Sequence, residues 1–184
     1  MNWLIEKDQE LLLFLNRLGD SAFDPFWLLM TSKWFWIPFY AILLYLLYKS
    51  FPLKKLIFVI ILIAIGITIS DQLAGIFKYG VGRLRPCHND LLMAKMRLVT
   101  CGGQFGFYSS HSSNSFFLVS FLSILIGEKY RILPYILLFW ALLVSYSRIY
   151  LGVHFPLDVV YGAAVGFFLG GVFANLAKKI IAKK

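Results

Sequence analysis

Three short stretches gather the residues of this chain that could do chemistry. They read Lys78-Tyr-Gly-Val-Gly-Arg-Leu-Arg85-Pro86, then Tyr108-Ser109-Ser110-His111-Ser112, then Ser147-Arg148-Ile-Tyr-Leu-Gly-Val-His154-Phe-Pro-Leu-Asp158. Lys78, Arg85 and Arg148 suit a phosphate, because a guanidinium forks onto two oxygens while an ammonium supplies a point charge. His154 and Asp158 are four apart, and Pro156 between them is tolerated only in a first helical turn. That spacing lets the carboxylate reach one imidazole nitrogen and fixes which nitrogen is free to attack. His111 stands at a helix entrance, where free backbone N–H groups and the helix dipole favour an anion. Taken singly, each cation is explained as an interfacial snorkelling residue and each histidine as a satisfied polar group. Six such residues at one face are harder to dismiss. A two-histidine, one-carboxylate metal site built from His111, His154 and Asp158 is the competing chemistry. Three neighbouring cations oppose a divalent ion, so neither metal nor other cofactor is expected.

The elements that must position these residues lie in a bilayer. Of 184 residues, 60% are apolar and 15% charged, and 18% are aromatic; a soluble domain carries about 45–50% apolar and about 25% charged residues. Disorder, collagen, coiled coils and disulfide-dense secreted modules are excluded by the same figures. Five apolar runs read as spans, at about Trp34–Tyr48, Leu56–Phe77, Ser113–Ile126, Leu133–Tyr146 and Leu157–Ala177. A spanning segment must satisfy its backbone internally, so the runs are helices. In residues 1–30, Asn16, Arg17, Asp20 and Asp24 interrupt the apolar Leu11–Leu15 and Phe26–Met30, which reads as an amphipathic interfacial helix and not a sixth crossing. The expected fold is therefore all-α and integral to the membrane: one embedded domain over residues 1–184, five to six transmembrane helices, an amphipathic N-terminal segment, and a long loop over residues 79–110. Met1–Glu6 have neither the basic start nor the cleavage site of a signal peptide, so insertion is expected to rest on the spans.

The net charge of +9 would suggest nucleic acid in a soluble chain. Here Lys49, Lys54, Lys55, Lys129, Arg131, Lys178, Lys179, Lys183 and Lys184 flank apolar runs as membrane anchors, and no nucleic-acid partner is expected. With five alternating spans these short basic segments share one side, which the positive-inside rule makes cytoplasmic. The loop 79–110 and the segment Ser147–Pro156 then face outward. Cys87 and Cys101 both lie in that loop, and on an oxidising side a disulfide between them would contribute about 3 kcal/mol. Two unpaired thiols are the plain alternative, and a thiolate metal site with His88 the weaker one.

The pattern Lys-x6-Arg-Pro, Ser-x-His, Ser-Arg-x5-His-x3-Asp resembles the signature of the type 2 phosphatidic acid phosphatase family of membrane lipid phosphatases. The first and third motifs match completely, and the second reads Tyr108-Ser109-Ser110-His111 where the family has Pro-Ser-Gly-His. The resemblance implies metal-independent removal of a phosphate from a membrane lipid through a phosphohistidine. His154 would be the nucleophile, Asp158 its orienting carboxylate, and His111 the acid and then the base. Lys78, Arg85, Arg148 and Ser109 would hold the phosphoryl oxygens, with a backbone N–H from Ser110; Ser147 belongs to the motif without an assigned role. By family-level analogy the expected substrate is undecaprenyl pyrophosphate, at the outer face of a bacterial inner membrane. Phosphatidylglycerol phosphate, phosphatidic acid and lipid A are alternatives. A non-enzymatic transporter of anions or lipid phosphates is the rival from another class, but it has no use for a positioned His–Asp pair. Outside the motifs, Asp71, Gln72 and Asn114 read as interhelical hydrogen-bonding groups, with tuning of the cationic site the alternative for Asp71, and Gly162, Gly166 and Gly170 as a close-packing stripe.

Overall fold

The computed structural model describes residues 2–182; Met1, and Lys183 and Lys184 of the basic tail, lie outside the described residues. In order, the α-helices are α1 (Asn2–Arg17), α2 (Asp24–Thr31), α3 (Ile37–Tyr48), α4 (Leu53–Val81), α5 (Asp90–Met93), α6 (Ser110–Ile126), α7 (Leu133–Tyr150) and α8 (Pro156–Ala182). Among the described residues the β-structure is a single isolated bridge between Leu84 and Phe105. The 29 residues of α4 and 27 of α8 reach about 40 Å at about 1.5 Å per residue. With α7 they are long and apolar enough to cross a bilayer, while α3 and α6 are apolar but shorter. The first apolar run was expected to turn helical at Trp34, yet α3 begins at Ile37. Pro38 must sit in a first turn, and that fixes the start.

Helix α6 is the axis of the bundle, packed most closely on α8 and then on α7 and α4. Its serines make this possible. Ser112 Oγ donates to Val159 O at 2.8 Å, Ser145 Oγ donates to Ser112 Oγ at 3.0 Å, and Ser70 and Ser113 share a 2.7 Å bond. A Cβ on Gly162, Gly166 or Gly170 would collide with the backbone of Ser109, Ser113 or Phe117, so the glycine stripe lets the two backbones touch. Below this polar seam Val59, Phe117, Phe121, Leu137 and Ala174 form a fully buried apolar core. Ile65, Ile76, Phe139 and Phe168 point away from it on the outer faces of the helices.

The N-terminal segment packs across the end of the bundle where the three motifs meet. Asp8, Leu12 and Asn16 make a buried stripe at i, i+4 and i+8 on α1, while Trp3, Phe14 and Leu18 are exposed. Polar residues expected to face water in fact face the protein. Asn16 Nδ2 donates to Arg97 O at 3.0 Å and Tyr150 O at 2.9 Å, and Asp24 pairs with Arg97 at 2.8 Å. A loop carbonyl, the last carbonyl of α7 and a loop cation satisfy these side chains better than an interface would.

Candidate active site

Each motif residue is delivered by a local device. Helix α4 ends at Gly82, whose positive φ of 65° turns the chain sharply just after Lys78. The extended stretch that follows is pinned to the returning loop: Arg85 N donates to Gln104 O at 3.0 Å and Gly106 N to Arg83 O at 2.8 Å. The Arg85 side chain donates from Nε to Phe105 O at 3.1 Å. Gly102 comes so close to this guanidinium that a Cβ there would stand 2.6 Å from it. Two residues beyond Arg85, the sulfurs of Cys87 and Cys101 are 2.01 Å apart, a bonded pair. His88 lies within 4.8 Å of both sulfurs.

Ser109 is the N-cap of α6 and is fully buried. Its side chain accepts from Ser112 N, and its own N–H donates to Asp158 O at 3.0 Å. That capping role uses an acceptor lone pair of the hydroxyl and leaves its proton to donate. Ser110, where the family has glycine, turns its hydroxyl aside to accept from Lys78 Nζ at 2.7 Å. The extra side chain thus tethers the lysine. His111, in the first turn of α6, stands open to a cavity and within electrostatic reach of His154, Lys78, Arg85 and Arg148.

Arg148 occupies the last turn of α7 and is buried, bonded to Thr31 Oγ1 of α2, with its Nε lacking any partner. Gly152, at a φ of 78°, lets the chain fold back so that the N–H groups of Val153 and His154 both donate to Arg148 O. His154 is then 1% exposed, and its Nδ1 lies 3.3 Å from Asp158 Oδ2. The same oxygen accepts Phe155 N–H at 3.0 Å. With Nδ1 on the carboxylate, Nε2 carries the free lone pair. Burial, followed by Arg85, Arg148 and Lys78, pushes the His154 pKa well below its usual 6.5, so the imidazole is neutral at pH 7. Burial likewise lowers the Arg85 pKa. His111, His154 and Asp158 form no metal-ligand cluster among the described residues; the grouping that does is Cys87, His88 and Cys101, whose sulfurs are consumed in the bond.

Two residues that the sequence reading passed over complete the site. Arg83 donates to Asp158 Oδ1 at 2.9 Å and to Asp8 Oδ2 at 2.6 Å, and stacks 3.9 Å over the Phe155 ring. Asp8 also accepts Leu157 N–H at 2.9 Å. Burial pushes its carboxyl up, opposed by Arg83. A signal for Arg83 existed, since residues two apart in an extended stretch share a face with Arg85. Nothing local points to Asp8, which meets its partners from 75 and 149 positions away.

A helical membrane protein that presents a buried imidazole–carboxylate pair to three converging cations is built for phosphoryl transfer. Residues 52–182 match the PAP2 superfamily, and the chain belongs to that family: it is a lipid phosphatase of the bacterial multi-pass membrane type. A lipid A 4'-phosphatase of Bacteroides thetaiotaomicron is 38% identical over 187 residues, covering 100% of this chain and 82% of that protein. One from Porphyromonas gingivalis is 33% identical over 175 residues, covering 92% and 72%. The crystal structure of a PAP2-type phosphatidylglycerolphosphate phosphatase from Bacillus subtilis superposes with a TM-score of 0.75 at 20% identity, over 100% of this chain and 90% of that one. Aquifex aeolicus LpxE gives 0.65 at 28% identity, over 90% and 93%.

Proposed function

We propose that the chain hydrolyses the phosphate of a lipid A-type glycolipid through a phosphohistidine, without a metal. The observation that carries the reaction is the His154–Asp158 pair facing Lys78, Arg85 and Arg148, with His111 beside it. His154 Nε2 attacks phosphorus, and the bond from phosphorus to the leaving oxygen breaks as His111 gives that oxygen a proton; burial and the neighbouring cations hold this imidazole neutral in the free protein, and it takes up that proton only with the phosphate anion bound beside it. The resulting neutral His111 takes a proton from water, which attacks the phosphohistidine, breaks the P–N bond and releases inorganic phosphate. Lys78, Arg85, Arg148 and the Ser109 hydroxyl neutralise the equatorial oxygens at both transfers, with the Ser110 N–H beside them at the N-terminus of α6. Asp158 holds Nδ1–H and stabilises the charge that forms on the ring.

The two lipid A 4'-phosphatases, at 38% and 33% identity over most of both chains, favour a glycolipid over undecaprenyl pyrophosphate. In this reading the whole chain is one embedded domain with five crossings and an interfacial α1, whose exposed Trp3, Phe14 and Leu18 enter the lipid surface. The short basic loops support a periplasmic orientation of the motifs at the inner membrane. The test is phosphate release by the purified protein from lipid A, undecaprenyl pyrophosphate, phosphatidylglycerol phosphate and phosphatidic acid. Highest kcat/KM on lipid A supports the assignment. A clear preference for undecaprenyl pyrophosphate returns the carrier lipid to first place.

A further inference from the structure

A cavity of about 580 Å³ runs between α3, α4, α6 and α7, with Ser110 and His111 in its wall. Lys78, Arg85, Arg148 and His154 are not part of that wall. Lys78 and Arg148 reach its rim through Ser110 and Thr31, so the phosphoryl group is held at the mouth of the cavity, beside His111. If His111 protonates the leaving oxygen, the leaving group occupies this space; the inference rests on that role. Deeper in, the wall is apolar, formed by Leu43, Leu47, Ile60, Ile63 and Leu122, and it suits acyl chains.

Between His111 and the apolar floor stand two acceptors without donors. Asn114 is three residues after His111, hence one helical turn further along the same face of α6. Its Oδ1 is buried and has no hydrogen-bond partner. Asp71 lies two turns before Lys78 on α4. Among the described residues its carboxylate makes no hydrogen bond and no ion pair. Lys33 shares the cavity and does not pair with it. The interhelical bonds expected of Asp71 and Asn114 are thus not made. A carboxylate within a spanning helix and an orphaned amide oxygen are both costly unless something donates to them.

We infer that Asp71 and Asn114 form a headgroup subsite that reads hydroxyl and amide N–H donors on a sugar leaving group. An acyl-glycerol or prenyl leaving group has no such set of donors to offer there. A phosphorylated, N-acylated glucosamine carries hydroxyl and amide N–H groups on the same ring as the oxygen that departs. The subsite therefore selects for glycolipid phosphates through hydroxyl and amide donors that an N-acylated sugar supplies together. Sites built to pair a polar substrate group discriminate strongly against substrates lacking it.

The experiment measures kcat/KM for lipid A and for phosphatidic acid in mixed micelles, using the full chain, D71N and N114L. D71N keeps the side-chain shape, and melting temperatures in detergent report on folding. The ratio of the two values is expected to drop about tenfold or more in each variant, the range of a lost hydrogen bond to a charged or buried group. A merely structural role would lower both values together and leave the ratio where it was. An unchanged ratio in both variants overturns the subsite while the phosphatase reading stands. A wild-type protein inert toward every lipid phosphate overturns the phosphatase reading and the subsite with it.

Discussion

Removing Arg83 should slow turnover without weakening substrate binding. Arg83 uses one guanidinium nitrogen on Asp158 at 2.9 Å and another on Asp8 at 2.6 Å. Its side chain is 20% exposed, and the two carboxylates 0% and 1%. In Arg83→Met the aliphatic stem can still cover Phe155, but both charge-assisted bonds are lost, at about 1.5–3 kcal/mol each. The half that concerns Asp158 bears on catalysis, because that carboxylate must hold Nδ1–H of His154. At about 1.4 kcal/mol per decade, kcat should fall about 10- to 100-fold. KM should barely move, since both terminal nitrogens of Arg83 are committed to protein and none is free for phosphate. Asp8→Asn keeps an acceptor for Leu157 N–H while losing the charge, and should cost kcat about tenfold. Arg83→Lys, able to reach only one carboxylate, should fall between them. Steady-state phosphate release in micelles, with melting curves for folding, separates the effects. Arg83→Met that is folded and turns over within about twofold of wild type would refute the positioning role, as would a loss carried wholly by KM.

His154→Ala should abolish turnover and His111→Ala should slow both formation and breakdown of an acid-quenched phosphoenzyme; robust activity in His154→Ala would end the mechanism. Activity should survive EDTA, and loss restored by one divalent ion would instead favour a metal site at the histidines. The buried His154 is neutral when folded but takes a proton near pH 6.5 when unfolded, so its contribution to stability is complete above pH 6.5 and declines as pH drops below it. The melting temperature of wild type should therefore fall more steeply from pH 6.5 to 4.5 than that of His154→Phe, and parallel curves would contradict this. In intact cells a membrane-impermeant thiol reagent should label Cys87 and Cys101 only after reduction, because the two sulfurs are bonded and the proposed topology puts their loop outside. Thiols protected in cells yet labelled after lysis without reductant would invert the proposed topology.

Residues whose roles depend on neighbours in sequence were legible before any coordinates. The spacing from Lys78 to Arg85 and from Arg148 through His154 to Asp158 pointed to residues that the fold brings together, and long uncharged runs carried the helices. Gly162, Gly166 and Gly170 were readable as a packing stripe because small residues every four positions have few other uses in a membrane. What escaped was long-range. Hydropathy treats Asp8, Asn16 and Asp24 as marks of a wet surface, yet each is satisfied by a group more than 70 positions away. Asp71 and Asn114 depart from the expected interhelical bonds for the opposite reason. Polar residues inside spans usually find a helix partner, and no periodicity reveals that these two border an open cavity.

The bond between Asp8 and the N–H of Leu157 joins the first helix to the start of the last. Synthesis proceeds from the N-terminus, so α1 emerges long before either of its partners exists. Until then Asp8 is a carboxylate without those partners, which favours keeping α1 at the water surface. Arg83 arrives midway and can neutralise Asp8, but it reaches Asp158 only when the final helix begins. The imidazole–carboxylate pair therefore falls into place in the last steps of biogenesis. On the proposed mechanism, a chain stalled or cleaved before α8 lacks Asp158 and should be an inert membrane protein and not a leaky hydrolase. In a bilayer made of phosphorylated lipids, that order of assembly keeps partial products harmless.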